Sequence, residues 1–173
     1  MEMDQGNKMQ EIGIEKVTVN MGVGANPDEM HSAQKIIERI TGKKAIQTKC
    51  RVRLPKWNIR PGLPIGLKVT LRDNDAAAFL LRALSAKDNR LSSRNFDNSG
   101  NFGFGIKEYI DLPDVRYDPS LGVRGFDILV TLHRPGYRVK RRKRKPAKIG
   151  KNHVIKKQEA IAFVQKKFGV VVE

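Results

Sequence analysis

The order of apolar and polar positions along the chain predicts strands that alternate with helices. Apolar residues at every second position predict strands at 12–21, 46–53, 67–72, 101–110 and 126–132. Apolar residues at spacings of three and four predict helices at 27–41, 76–87 and 159–168. This order favours an α+β fold, an open antiparallel or mixed sheet with helices packed on one face. The other face of the sheet would then be free.

Residues typical of helix ends support these boundaries. Asn26 suits the N-cap of the first helix, Pro27 its first turn, and Gly42 its end. The segment 73–75 is expected to cap the second helix, and Gly169 is expected to stop the last one.

In the first three predicted strands, polar residues alternate with apolar ones. These polar residues are predicted to line the free face of the sheet. These residues are Asn20, Gln47, Lys49, Lys68, Thr70 and Arg72. The alternate positions of the second strand, Ile46, Thr48, Cys50 and Val52, are predicted to lie on its apolar side. An open polar sheet face is a common way to bind RNA.

The charge of the chain is concentrated in two blocks. Lys43–Arg72 contains nine Lys or Arg residues and Arg134–Lys157 contains twelve, and neither block contains an acid. The positive charge of the two blocks together is larger than the net charge of +16, so the rest of the chain is slightly acidic. This distribution favours a nucleic-acid partner, because concentrated cations release the counterions of phosphates. A membrane surface is disfavoured, because neither block is a basic amphipathic helix.

The chain is expected to form a single domain over 12–173 with a flexible N-terminus at 1–11. Two excursions interrupt it, a loop at 51–64 and a basic arm at 134–157. Within the arm, Arg138–Lys145 holds seven cations in eight residues, so it is expected to be flexible or extended until bound.

Several chemistries are disfavoured by the sequence. A single Cys excludes an internal disulfide, and His31, His133 and His153 lack partners at metal-ligand spacing. The turn at 22–27 lacks the third glycine of a dinucleotide-binding motif. No catalytic constellation, signal peptide or membrane span is evident, so neither an enzyme nor a cofactor is expected. A general nucleic-acid compaction protein and an RNA-modifying enzyme remain as alternatives.

The aromatic residues divide into two groups. Phe102 and Phe104 are predicted to be core residues because of their even spacing in a strand. Trp57 lies in a basic loop without apolar periodicity, and both a core role and surface stacking on RNA remain open for it.

Four motifs in order resemble the universal ribosomal protein L5 family of the large subunit. They are VTVNMGVG at 17–24, RPGLPIGLKVTLR at 60–72, FDNSGNFGFGIKE at 96–108, and Tyr117–Asp118 with Val123–Asp127. The resemblance covers about 12–133 and the last helix. It implies a cytoplasmic ribosomal protein that binds 5S rRNA and helps attach it to large-subunit rRNA in the central protuberance. It also implies contacts with the P-site tRNA, with other 5S-associated ribosomal proteins, and with a small-subunit protein of the S13 family across an intersubunit bridge.

The same resemblance implies roles for particular residues. Contacts with 5S rRNA are carried over to Asn20, Lys43, Trp57 and Thr70, and Lys68 and Arg72 share the predicted face. Lys43 replaces the Gln common in bacterial members, which favours a phosphate contact. The loop that reaches the tRNA corresponds to 51–64, with the cations Arg51, Arg53, Lys56 and Arg60. The bridge contact is expected around 117–124.

Residues 134–152 have no counterpart in the short bacterial form and resemble the archaeal and eukaryotic type. The hypothesis is that this basic arm enters rRNA. Its expected contacts are Arg138, Lys140, Arg141, Arg142, Lys143, Arg144 and Lys145.

Overall fold

The fold is known from a computed structural model that describes residues 7–113 and 115–173. Within these ranges, five strands form an antiparallel sheet in the order β2-β3-β1-β6-β5. Their bounds are β1 Gly13–Gly22, β2 Ile46–Lys49, β3 Pro64–Leu71, β5 Phe102–Ile106 and β6 Phe126–His133. The short β4 (Arg90–Leu91) and β7 (Val171–Val172) pair separately in parallel. The α+β prediction is confirmed.

The helices cover one face of the sheet. They are α1 (Pro27–Thr41), α2 (Asp73–Ser85) and α4 (Lys157–Phe168). The four-residue α3 (Arg138–Arg141) lies in the basic arm and has no buried residue. The core between helices and sheet contains the odd-numbered apolar positions of β1 and β3 and the even-numbered ones of β5 and β6. We call the uncovered side of the sheet the open face.

The helix α1 begins and ends as its sequence predicts. The Asn26 side chain accepts a hydrogen bond from the Asp28 N–H at 3.2 Å, and Pro27 occupies the first turn. Gly42 ends the helix with a φ of 66°, a left-handed conformation that glycine adopts at little cost. Its predicted apolar stripe is buried.

The start of α2 differs from the prediction. The helix begins at Asp73 rather than Ala76, and its N-cap is Arg72, which makes no side-chain capping bond. The 73–75 segment is therefore the first turn and not a cap. The predicted buried face of this helix, Phe79, Leu80, Ala83 and Leu84, is confirmed.

Two local features differ from the prediction. The predicted loop after α2 contains β4, whose two residues show no alternation and pair with the C-terminal β7. The predicted strand at 101–110 ends at Ile106, and a 3-10 turn follows at Tyr109–Asp111. This turn places Tyr109 in the core, where its hydroxyl accepts a hydrogen bond from the Asp118 N–H at 3.2 Å.

The predicted N-terminal segment 1–11 lies partly outside the described residues, and Lys8–Gln10 form a 3-10 turn. Among the helices that the structure describes, none has both the length and the apolar character needed to cross a bilayer.

Candidate RNA-binding surface

The register of β1 with its neighbours β3 and β6 determines which residues lie together on the open face. Asn20 lies opposite Lys68 of β3 and Asp127 of β6. Residues directly opposite each other in an antiparallel sheet point to the same side. The sheet therefore brings Asn20 and Lys68 together, as predicted, and it places Asp127 beside them.

The next row of the open face contains three more side chains. Thr18 lies opposite Thr70 on one side and Leu129 on the other. Thr70 is exposed, and Arg72 is exposed just beyond the end of β3. The alternation of β1 predicts Thr18 on this side, but no motif marks it as a site residue. Its hydroxyl adds a second hydrogen-bonding group beside Thr70.

The prediction for β2 is wrong at three positions. Ile46 lies opposite Lys68, so it belongs to the open face and is 64% exposed. Gln47 lies opposite Leu67 and therefore faces the helix side instead of the open face. The cause is that β2 is an edge strand, where alternation alone does not reveal which side is buried. Thr48 lies opposite Gly66 and therefore also belongs to the open face. The register then shifts, and Lys49 pairs with Pro64 across a bulge whose extra residue is Ile65 of β3.

The two halves of the open face differ in charge and shape. The half formed by β3 and β1 carries Lys68 and Lys16, with Arg72 at its end. The half formed by β6 and β5 carries Asp127 and Leu129 beside glycines. A Cβ on Gly103 would lie 2.8 Å from Leu129 Cδ2, so the leucine side chain occupies the space above this glycine. Phosphate binding is therefore favoured on the first half and contact with an uncharged part of RNA on the second.

Lys43 is brought close to the open face by the turn after α1. Its ammonium group pairs with Asp75, and the two residues line a shallow cavity of about 440 Å³ with Thr70 and Arg72. Both side chains of the pair are about half exposed. An exposed ion pair of this kind contributes little stability, so a phosphate can compete for Lys43.

The 51–64 loop is held in a defined shape. Leu54 and Ile59 exchange backbone hydrogen bonds around the 3-10 turn Pro55–Trp57. At its base, Cys50 N–H donates to Leu63 O at 2.8 Å. The Trp57 side chain is 69% exposed, so Trp57 is a surface residue and not a core residue. The four predicted tRNA-facing cations of this loop are all exposed, namely Arg51, Arg53, Lys56 and Arg60.

The segment around 117–124 is tied to α1 by two ion pairs. Arg124 contacts Glu29 at 2.8 Å, and Arg39 contacts Asp118 at 3.1 Å. Hydrogen bonds from Ser120 and then from Arg39 lower the pKa of the Asp118 carboxyl, which keeps it ionised. The exposed Tyr117 lies within this segment. Residue 114, which the sequence groups with neighbouring acids in a loop, lies outside the described residues.

The basic arm is anchored at both ends. Arg134 is only 7% exposed, pairs with Glu159 at 3.2 Å and donates to His153 O. The Tyr137 hydroxyl donates to the same His153 carbonyl and accepts from the Ile155 N–H at 3.0 Å. These contacts close the arm onto the domain where it leaves β6 and returns to α4.

The middle of the arm differs in part from the prediction of an extended segment. Arg138–Arg141 form the helical turn α3, and Arg141 pairs with Glu15 of β1. Glu15 is the extra residue of a β-bulge, because Ile14 lies opposite Leu132 and Lys16 opposite Thr131. The other six predicted arm contacts are exposed, namely Arg138, Lys140, Arg142, Lys143, Arg144 and Lys145.

The pair between Glu15 and Arg141 predicts a pH dependence. The hydrogen bond from Arg141 lowers the pKa of Glu15 below its ordinary value of 4.5. A lowered pKa stabilises the fold above that value, and the contribution is lost as the pH falls through the folded-state pKa. At neutral pH, the free energy of unfolding should therefore be about 1 kcal/mol lower for Glu15→Gln than for the native chain, because Arg141 remains half exposed. Urea unfolding at several pH values measures this difference.

The matched control for this experiment is Glu11→Gln, the same change at an exposed residue just before β1. The difference between the native chain and Glu15→Gln should vanish well below pH 4.5. A difference that persists in acid would show that Glu15 acts through packing and not through its charge.

Comparison with known proteins agrees with this architecture. The family model of ribosomal protein L5 matches residues 7–60, and a second model, which describes the C-terminus of the same ribosomal family, matches residues 64–169. The chain belongs to the ribosomal protein L5 family. It is thereby a structural constituent of the large ribosomal subunit in the cytoplasm and not an enzyme.

Similar proteins from three archaea are each named large ribosomal subunit protein uL5. The protein of Methanococcus aeolicus is 48% identical, over 95% of this chain and 93% of its own. That of Nitrosopumilus maritimus is 46% identical, over 95% of both chains, and that of Sulfolobus acidocaldarius is 42% identical, over 99% and 96%. These matches confirm the resemblance to the archaeal type of the family.

Proposed function

We propose that this L5-family chain binds 5S rRNA through the open face and helps attach it to large-subunit rRNA in the central protuberance. The observation that carries the proposal is the register that gathers Asn20, Lys68 and Thr70 on one uncovered surface. Lys43, which lines a cavity with Thr70 and Arg72, and the exposed Trp57 complete the set of expected contacts. RNA recognition by a sheet surface depends on this combination of hydrogen-bonding groups and cations.

Affinity and discrimination come from different residues of the open face. Lys16, Lys68 and Arg72 neutralise phosphates, which supplies binding energy without reading sequence. The side chains of Asn20 and Thr70 hydrogen-bond to base edges or to ribose hydroxyls. If the whole chain neutralises about 6–10 phosphates, log K falls with log salt by roughly 0.7–0.9 for each of them. Affinity for 5S rRNA that does not change with salt would contradict this division.

The 51–64 loop is the proposed contact with the P-site tRNA. Its four cations are exposed on a loop whose own hydrogen bonds maintain its shape. A loop that is already ordered loses less conformational entropy when it meets the tRNA backbone. Trp57 lies in the same loop and supplies an exposed ring for stacking.

The segment at 117–124 is the proposed contact with a small-subunit protein of the S13 family. Tyr117 and Val123 are about half exposed, and exposed aromatic residues are enriched at protein interfaces. The ion pairs of Arg39 and Arg124 hold this segment on α1, so the contact surface is positioned before the subunits meet. Other 5S-associated ribosomal proteins are expected to be neighbours of the chain in the central protuberance.

The basic arm is the proposed contact with large-subunit rRNA. Arg134 and Arg141 are held in ion pairs with the domain, while the other six predicted contacts of the arm are exposed. The arm therefore presents its positive charge from a fixed base on the domain.

The proposal is tested by replacing Thr70 with Val, which removes one hydroxyl from the open face. Loss of one hydrogen bond of about 0.5–1.5 kcal/mol should weaken 5S rRNA binding roughly three- to tenfold. Because Thr70 is exposed, the free energy of unfolding should change by less than about 0.5 kcal/mol. Filter binding and urea unfolding measure the two quantities.

The control is Thr70→Ser, which keeps the hydroxyl and should bind 5S rRNA nearly as well as the native chain. If Thr70→Val loses stability and affinity together, the residue supports the fold and the assignment of the open face is wrong.

A further inference from the structure

A cavity of about 660 Å³ lies between the basic arm and the end of the sheet. Its floor includes Thr131 of β6 and Asn101, which directly precedes β5. Thr131 lies opposite Lys16, so this floor continues the open face beyond its cationic half. The opposite wall is the part of the arm at 146–149.

The lining combines three kinds of chemistry. Ile149 and Val154 supply apolar surface, while Asn101 and Thr131 supply hydrogen-bonding groups. Lys140, Arg141 and Lys148 add positive charge, and no acid is among the lining residues that the structure describes. A ligand that matches this lining has a flat apolar body, polar edges and a negative charge.

The cavity is held open by contacts around it. Glu15 fixes Arg141 on one side. A Cβ on Gly100 would lie 2.5 Å from Ile155 Cγ2, so only a glycine allows the segment before β5 to approach the returning arm this closely. On the floor, the Asp97 carboxylate accepts from the Asn101 side-chain amide at 3.2 Å, which restricts that side chain.

We propose that this cavity binds one unstacked nucleotide of the rRNA that meets the arm. The base lies against the apolar wall with its edge towards Asn101 and Thr131, and its phosphate lies at Lys140 and Lys148. A volume of about 660 Å³ is within the range of small-molecule sites. The inference rests on the proposed contact between the arm and rRNA, and it adds that the RNA there is a loop or bulge, because bases within a duplex cannot reach such a site.

The first test is titration of the native chain with nucleoside 5′-monophosphates, followed by NMR. Saturable shifts are expected for the Asn101 side-chain amide and the Thr131 methyl group, with at least about tenfold tighter binding than inorganic phosphate. Inorganic phosphate should shift the arm residues alone. Equal affinity for phosphate, or no saturable shift at Asn101 and Thr131, would overturn the proposal.

The second test is Ala147→Phe, which fills the cavity from the arm and leaves every cation in place. The matched control is Ala162→Phe, the same change at an exposed position of α4. Ala147→Phe should weaken binding to large-subunit rRNA about tenfold with an unchanged salt slope, because the larger side chain excludes the base from the cavity while every phosphate-binding cation remains. The control should bind like the native chain.

The two proposals fail in different ways. If Ala147→Phe binds rRNA like the native chain while neutralising the arm cations weakens binding, the nucleotide site is wrong and the contact between the arm and rRNA stands. If neither change weakens binding, both are wrong.

Discussion

Replacing Lys68 and Arg72 together by Glu should weaken binding to 5S rRNA by at least about 100-fold at physiological salt. Each reversal removes a cation from the phosphate-binding half of the open face and adds an anion that repels the RNA. Both side chains are exposed, so the folded chain should tolerate the change. The slope of log K against log salt should fall by roughly 0.7–0.9 for each lost phosphate contact. Filter binding at several salt concentrations measures both effects.

The control variant makes the same change in net charge on the helices, away from the open face. Lys35 of α1 and Lys166 of α4 are exposed, and the double variant Lys35→Glu with Lys166→Glu should retain nearly native affinity. Equal weakening by both double variants would mean that the chain attracts RNA through total charge and not through the open face.

Replacing the six cations of 138–145 other than Arg141 by Gln should separate two RNA contacts. Binding to isolated 5S rRNA should change little, while binding to large-subunit rRNA should fall by about 100-fold or more. The variant keeps Arg134 and Arg141, so both anchors of the arm remain. The expected loss is therefore electrostatic and not a consequence of unfolding. Incorporation of the variant into large subunits should fall in parallel with its binding to large-subunit rRNA.

The outcome that contradicts this assignment is an equal loss of affinity for both RNAs. Such a result would place the arm on 5S rRNA and would make the open face one part of a larger 5S rRNA surface.

Much of the fold could be predicted from the sequence because its long elements are strongly periodic. β1, β6 and α1 each alternate apolar and polar positions with the period of their structure, and each is buried on one side. The motifs shared with the L5 family then identified Asn20 and Thr70 as expected contacts with RNA. Their proximity follows from the register between β1 and β3, which alternation does not specify.

The remaining features depend on contacts between distant segments. Whether Ile46 is buried depends on the pairing of β2 with β3, and its alternation predicted the wrong side. The burial of Arg134 depends on Glu159, and the position of the arm depends on a bulge at Glu15 that no local pattern reveals. In each case a tertiary partner, rather than local propensity, determines the environment of the residue.

If 5S rRNA covers the open face, hydroxyl-radical footprinting of the protein should detect the covered side chains. Ile46 and Leu129 are exposed apolar residues on the open face, whereas Leu81, which is 53% exposed, lies on the outer side of α2. Adding 5S rRNA is expected to protect Ile46 and Leu129 from oxidation and to leave Leu81 unchanged. Protection of Leu81 with full oxidation of Ile46 and Leu129 would show that 5S rRNA binds the helix side and not the open face.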